Sequence, residues 1–351
     1  MIFIIRCVSA FCLFSFLARA NIWLNPINNI MLVVGYRFFL ILTPIINRYI
    51  GKHAGSVAFL FSAFGCLMWT SDKSIFNFLG SIAVGTGLSV GGYLIKSQAA
   101  ETARGAGLNK IALNVGSLAA GGILSISMLN NPNTFYISGC IILFICSFLS
   151  WNSIRNNSIQ TSSKTNEQIY LHRKIAWSLI GISIGIKLFG IFSILPQVIL
   201  KSTEALPVWY GFMISLNSLV IIIFQIPLIK KLDALKNPQR LVTVLLGCGM
   251  LILALPQVFY IHFFIGAFMW TLICSLIECC ASYLDVSASR DRCLLYKEAS
   301  VGLGAALTVA IMRNNNPEIG ALIIGFIGLI SLISGVILLK NRKETLVLQS
   351  N

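Results

Sequence analysis

Residues 208–240 read VWYGFMISLNSLVIIIFQIPLIKKLDALKNPQR. Residues 208–229 are apolar almost throughout, and the run then stops against Lys230, Lys231, Lys236 and Arg240. A helix rises about 1.5 Å per residue and the hydrocarbon core of a bilayer is about 30 Å thick, so roughly 20 apolar residues make a span. The basic end shows on which side of the membrane the next loop lies.

Outward from this span the same unit recurs along the chain. Twelve spans are expected, at residues 1–19, 29–47, 54–71, 75–95, 106–128, 134–152, 175–199, 208–229, 241–258, 263–285, 297–312 and 319–340. The chain has 351 residues, 57% of them hydrophobic and 11% charged, whereas a soluble domain carries about a quarter charged residues. Too little chain lies outside the spans for a soluble catalytic domain.

The net charge of +15 suits a nucleic-acid binder, but its distribution argues against one. Of 26 Lys and Arg, 19 fall in or beside one alternating set of gaps: Arg48 and Lys52; Lys96, Arg104 and Lys110; Arg155, Lys164, Arg173 and Lys174; Lys230, Lys231, Lys236 and Arg240; Arg290, Arg292 and Lys297; Lys340, Arg342 and Lys343. The other set holds Arg19, Lys73, Lys201 and Arg313. Positive loops stay cytoplasmic. The expected protein is therefore multi-pass in a bacterial inner membrane, with both termini inside and no nucleic-acid partner. The same loops offer a surface to anionic membrane lipids.

Ten cysteines are scattered without a Cys-x-x-Cys pair, and His53, His172 and His262 lie far apart. Neither disulfides nor a metal site is expected. Gly85-x-Gly87 follows no strand, and no phosphate-binding loop is present, so no nucleotide cofactor is expected. The N-terminal run carries Arg6 and ends in Arg19-Ala20-Asn21, a poor cleavage site. It reads as an uncleaved first span. Its cytoplasmic side is short, which leaves open a start further upstream.

The longest polar gap, 153–174, is rich in Ser, Asn and Thr, as a linker is. It divides the chain into an N-terminal six-helix bundle at 1–152 and a C-terminal one at 175–340, with a cytoplasmic tail at 341–351. The halves echo each other. Pro44-Ile45-Ile46-Asn47-Arg48 closes the second span and Pro227-Leu228-Ile229-Lys230-Lys231 the eighth. Superposing these motifs sets Arg6 near Lys187. Tyr93-Leu94-Ile95-Lys96-Ser97 and Tyr283-Leu284-Asp285-Val286-Ser287 each lead to a charged loop and a Gly-rich helix. Repeats of this kind build many transporters, with a site at mid-depth between them.

On these features, and above all on Tyr210 to Leu228 with the basic loop that follows, the chain resembles the major facilitator superfamily, specifically its twelve-span efflux-type members. The resemblance implies an all-α polytopic fold of two pseudo-symmetric six-helix bundles. It also implies a monomer that moves a small-molecule substrate, with the proton as the common coupling ion. The family's loop Gly-x-x-x-Asp-Arg-x-Gly-Arg-Arg, a cytoplasmic gate, is matched at Arg48; Thr43 and Asn47 stand for the first Gly and the Asp, and Lys52 for an Arg. The antiporter signature is matched at Gly107 and Gly116, while Ala120 and Gly121 occupy its Gly-Pro positions. Export is therefore the favoured direction.

Ionisable groups deep in a span cost about 2.5–3.5 kcal/mol on insertion scales, so they mark function first. Glu278 is the acid expected well inside a span and is the candidate proton carrier or cation anchor. Lys187, near the middle of the seventh span, would hold an anionic group or pair with Glu278. Arg37 and Arg6 are further buried cations, and Asn114, Asn217 and Gln225 are mid-helix amides that bond either a neighbouring helix or the substrate. Three buried cations against one acid favour a substrate with a carboxylate or phosphate. Glu101, Arg104, Asp285, Arg290 and Asp291, together with Asn47, Arg48 and Lys52, form the expected cytoplasmic gate. Small residues, among them Gly80, Gly85, Gly87, Gly91, Gly92, Gly116, Gly121, Gly122, Gly302 and Gly304, let helices approach closely.

The expected function is proton-coupled export of a drug or metabolite by alternating access. Import of a small anionic metabolite, and a sensor or scaffold without flux, remain alternatives. A membrane enzyme would need a nucleophile, metal ligands or an acid–base pair at a membrane face, and the sequence offers no such set.

Overall fold

The computed structural model describes residues 1–23, 26–123, 131–154, 167–204 and 206–349. Two compact units divide the chain, Met1–Thr161 and Ser162–Asn351. The described residues of the first form α1 (Ile2–Trp23), α2 (Pro26–Phe38), α3 (Thr43–Ile50), α4 (Ala54–Met68), α5 (Ser74–Ala99), α6 (Ala103–Ile123) and α7 (Pro132–Ser150). Those of the second form α8 (Glu167–Ser202), α9 (Val208–Asp233), α10 (Pro238–Ala254), α11 (Phe264–Ala281), α12 (Tyr283–Arg290), α13 (Leu294–Asn314) and α14 (Pro317–Gln349). The fold is all-α.

Among the described residues eight stretches are long and apolar enough to cross a membrane, two of them running over more than one of these helices (Ile30–Met68 and Phe264–Arg290), and Ile2–Leu17 and Pro238–Ala254 are shorter apolar helices. Side chains exposed on α14 follow the helical period: Ile319, Leu322, Phe326, Ile330, Ile333 and Ile337. On α7 Ile137, Ile141, Phe144, Ile145 and Phe148 do the same. Water would penalise such continuous apolar stripes and lipid does not, so these faces belong to the bilayer.

Each unit has the same packing plan. In the first, α1 packs on α6, α2 on α5, α4 on α5 and on α7, and α1 on α7. In the second, α8 packs on α13, α9 on α11, α10 on α11 and on α14, and α8 on α14. The repeat is thus one of contacts as well as of strings of letters.

Glycine sets its register. A Cβ on Gly116 of α6 would strike the carbonyl of Cys7 and the amide of Phe11 on α1. A Cβ on Gly304 of α13 would strike the carbonyl of Ile182 and the amide of Ile186 on α8. Backbone cannot yield as a side chain does, and over-packing costs about 1–3 kcal/mol or more. Gly116→Val and Gly304→Val are each expected to lower the melting temperature in detergent by several degrees. Gly211, whose added Cβ meets nothing within 4 Å, is the control position. Gly121 likewise has no such neighbour, so its expected role in close approach is not seen.

Three expectations change. The second span is not continuous: α2 passes into a 3-10 turn at Phe39–Leu42, and α3 starts anew at Thr43. Pro44 cannot donate to the carbonyl of Leu40, and the Thr43 hydroxyl donates to it instead, at 2.6 Å. Pro227, its supposed counterpart, lies inside the unbroken α9. The tenth span also divides, between α11 and α12. Finally, helix reaches into both flanking polar segments, since α8 begins at Glu167 and α14 runs to Gln349. Gly51 has φ +68° and its amide closes α3 on the carbonyl of Asn47. That left-handed turn is why a glycine falls just there.

Candidate functional site

Four of the expected residues converge on α11. The Lys187 ammonium, from α8, donates to the carbonyl of Cys274 at 3.3 Å, and the residue is 1% exposed. Its stem lies against Gly249 of α10, where a Cβ would sit 2.8 Å from Cε. Glu278 follows Cys274 by four residues, so the two share one face of α11, one turn apart. It is 5% exposed. Both charges are close enough to Cys274 to act on its thiol. Lys187 and Glu278 thus lie at successive levels of one helix face.

The amides lock this face to α9. Asn217 accepts a hydrogen bond from the Ser275 hydroxyl at 2.7 Å. Gln225 donates to the carbonyl of Cys279 at 2.9 Å and to the Ser282 hydroxyl at 2.8 Å. Both are buried struts between helices, and they hold the segment that carries Cys274 and Glu278. Asn217→Ala should lower stability by about 1 kcal/mol, read as a small loss in melting temperature. A Ser275→Ala, Asn217→Ala pair should cost less than the sum of the two single changes.

The end of this unit where α12 turns into α13 holds a cluster that the sequence reading separates. Lys297, counted there among loop cations, is 1% exposed. Its ammonium donates to Asp285 of α12 and, at 2.6 Å, to Glu298. Asp285 and Glu298 are buried too, so Glu278 is not the sole buried acid. The reason is geometric: α13 begins at Leu294, three residues before the expected span, and its first turns are packed inside the unit. The adjacent pair Lys297-Glu298 looks solvated in sequence, and no signal there reveals its burial.

Asp291 accepts from the Trp177 indole at 2.8 Å and faces the Arg173 guanidinium at 3.7 Å. Lys174 stands over the Tyr296 ring at 4.8 Å. These contacts tie the start of α8 to the turn before α13 and to the first turn of α13. Arg290 is exposed. In the same turn, burial first and the Asp291 carboxylate second push the Cys293 thiol up to about 12. The thiolate is the reactive form, so Cys293 should resist maleimide at pH 8–9 until the protein is denatured. Because its folded value is raised, this thiol supports the fold at neutral pH, and that support fades as pH rises from about 9 to about 12.

In the first unit the expected residues are dispersed. Arg6 of α1 is 6% exposed and rests on Gly92 of α5. Arg37 of α2 lies 4.8 Å from the ring of Tyr36. Asn114 of α6 donates to the carbonyl of Lys110, on its own helix, at 2.9 Å. Among the gate residues Asn47 lies within α3 and its carbonyl accepts from the Gly51 amide, Arg48 and Lys52 are exposed, and Glu101 and Arg104 are exposed where α5 passes into α6. His53 stacks on Trp151 with ring centroids 3.9 Å apart.

No protein-family profile matches the chain, and no curated protein sequence does. Solved structures do. One is the major facilitator proton:xylose symporter XylE bound to 6-bromo-6-deoxy-D-glucose: TM-score 0.65, 12% identity, 95% of this chain and 94% of that one. Another is the human organic anion transporter MFSD10 (TETRAN): TM-score 0.61, 9% identity, 95% of this chain and 97% of that one. The chain has the major facilitator fold.

Proposed function

We propose that this protein is a secondary active transporter of a small organic solute that works by alternating access. It would span the bacterial inner membrane twelve times with both termini cytoplasmic. The observation that carries the reading is the burial of two charges from neighbouring helices, Lys187 of α8 with its ammonium on the Cys274 carbonyl and Glu278 one turn beyond Cys274 on α11. A bilayer-embedded charge is costly unless it is used. Glu278 would carry the coupling proton and the solute would be exported. Import of an anionic metabolite would use the same residues in the opposite direction.

The test compares metabolites inside and outside cells that lack, carry or overexpress the protein, with Glu278→Gln as control. A compound held inside without the protein and found outside with it supports export. The opposite distribution supports import. No difference across a broad panel, with the protein present in the membrane, would sink the transport reading in favour of a sensor or scaffold.

A further inference from the structure

The glycine contacts give the two units a residue-by-residue register. Gly116 against Cys7 and Phe11 corresponds to Gly304 against Ile182 and Ile186. In that register Arg6 answers to Gly181 and Asn109 to Lys297. The expected match of Arg6 with Lys187 is therefore wrong by six residues, because the Pro motifs used to align the halves sit in a broken helix and an unbroken one. A second contact fits the register: a Cβ on Gly181 would meet the carbonyl of Lys297. In the same register Arg6 and Asn109 hold the equivalent positions where α1 packs on α6.

The two equivalent corners differ in charge. In the second unit the buried cation, Lys297, is held by the carboxylates of Asp285 and Glu298. In the first unit Lys110 takes the place of Glu298 in this register, and Ile95 takes that of Asp285 when Tyr93 is matched with Tyr283. Arg6 is more than nine-tenths buried, and its Nε makes no hydrogen bond. Asn109 is also buried, and its Oδ1 makes none. Gly92 leaves room for the guanidinium, since a Cβ there would collide with Nη1. Among the described residues no carboxylate pairs with Arg6; a buried cation so placed is costly, and a guanidinium pairs best with the fork of a carboxylate or phosphate.

We infer that the corner of α1, α5 and α6 around Arg6 is an anion site that takes a carboxylate or phosphate group, supplied by a soluble solute or by a lipid headgroup. This inference deepens the transport reading by naming the solute's charged group. Binding is read at equilibrium, so a protein that binds anions without flux sinks the transport reading and leaves this one standing.

The experiment follows thermal unfolding of the full chain in phosphatidylcholine nanodiscs as inorganic phosphate, and then succinate, is added at constant ionic strength. A parallel series replaces part of the lipid with phosphatidylglycerol. The variants are Arg6→Gln, which removes the cation, and Asn109→Asp, which puts a carboxylate at the α6 position that the register pairs with Arg6. The expected result is a saturable rise in melting temperature for the wild type, with at least a tenfold loss of apparent affinity in both variants. Neither variant should melt below the wild type in anion-free buffer. A response only to phosphatidylglycerol, lost in Arg6→Gln, assigns the site to a headgroup and still supports it. A wild type indifferent to all three anions, or an Arg6→Gln variant that responds as the wild type does, overturns it.

Discussion

Lys297→Met is expected to be the most damaging single substitution in the protein. The ammonium is buried and shared by Asp285 and Glu298. Removing it leaves two carboxylates close together in a medium that solvates neither. Breaking a buried pair from one side costs about 3–5 kcal/mol, a large part of what holds most domains together. The expected readout is loss of folded protein after detergent extraction, or a melting temperature lowered by ten degrees or more. The triple variant Asp285→Asn, Lys297→Met, Glu298→Gln should recover much of the loss, since removing all the charges together also removes the unpaired ones. A Lys297→Met variant that extracts and melts like the wild type would show that the ammonium does not hold this corner together.

Glu278→Gln is the second large effect expected, in activity rather than stability. Gln keeps the size and the hydrogen-bonding capacity of the side chain and cannot take up a proton. The struts from Asn217 and Gln225 that fix this stretch of α11 do not depend on Glu278, so the variant should fold. In proteoliposomes, uphill movement of the solute under a proton gradient should fall at least tenfold, while exchange of solute across the membrane without a gradient persists. Both processes lost together would make Glu278 a solute ligand instead of the carrier. Uphill movement at the wild-type rate, with the same dependence on pH, would remove it from the mechanism.

Much of the architecture could be read before any coordinates. An apolar run that ends in Lys-Lys, repeated at intervals with positive charge in alternate gaps, follows from two simple constraints: bilayer thickness and the cost of moving cations across it. The candidate residues on α8, α9 and α11 were legible for a related reason, because a charged or amide side chain inside an apolar span stands out. Where the reading failed, it failed on distance in space. Nothing in the string Lys297-Glu298 says that Asp285, twelve residues earlier, folds back onto the same ammonium. Nor do the two Pro motifs say that one interrupts its helix and the other does not. That depends on whether a neighbour, here the Thr43 hydroxyl, takes up the carbonyl left free.

The sequence alone determined that this chain is a membrane protein of apolar helices, which way it is expected to lie, and which few polar side chains are buried at a cost. These properties are one-dimensional, set by the length and composition of each segment. Tertiary structure decided the rest: the register of each helix against its neighbour, the breaks in the second and tenth spans, and which buried charges meet a partner. Those depend on backbone approaching backbone at a few glycines, where a shift of one helical turn changes every contact that a side chain can make.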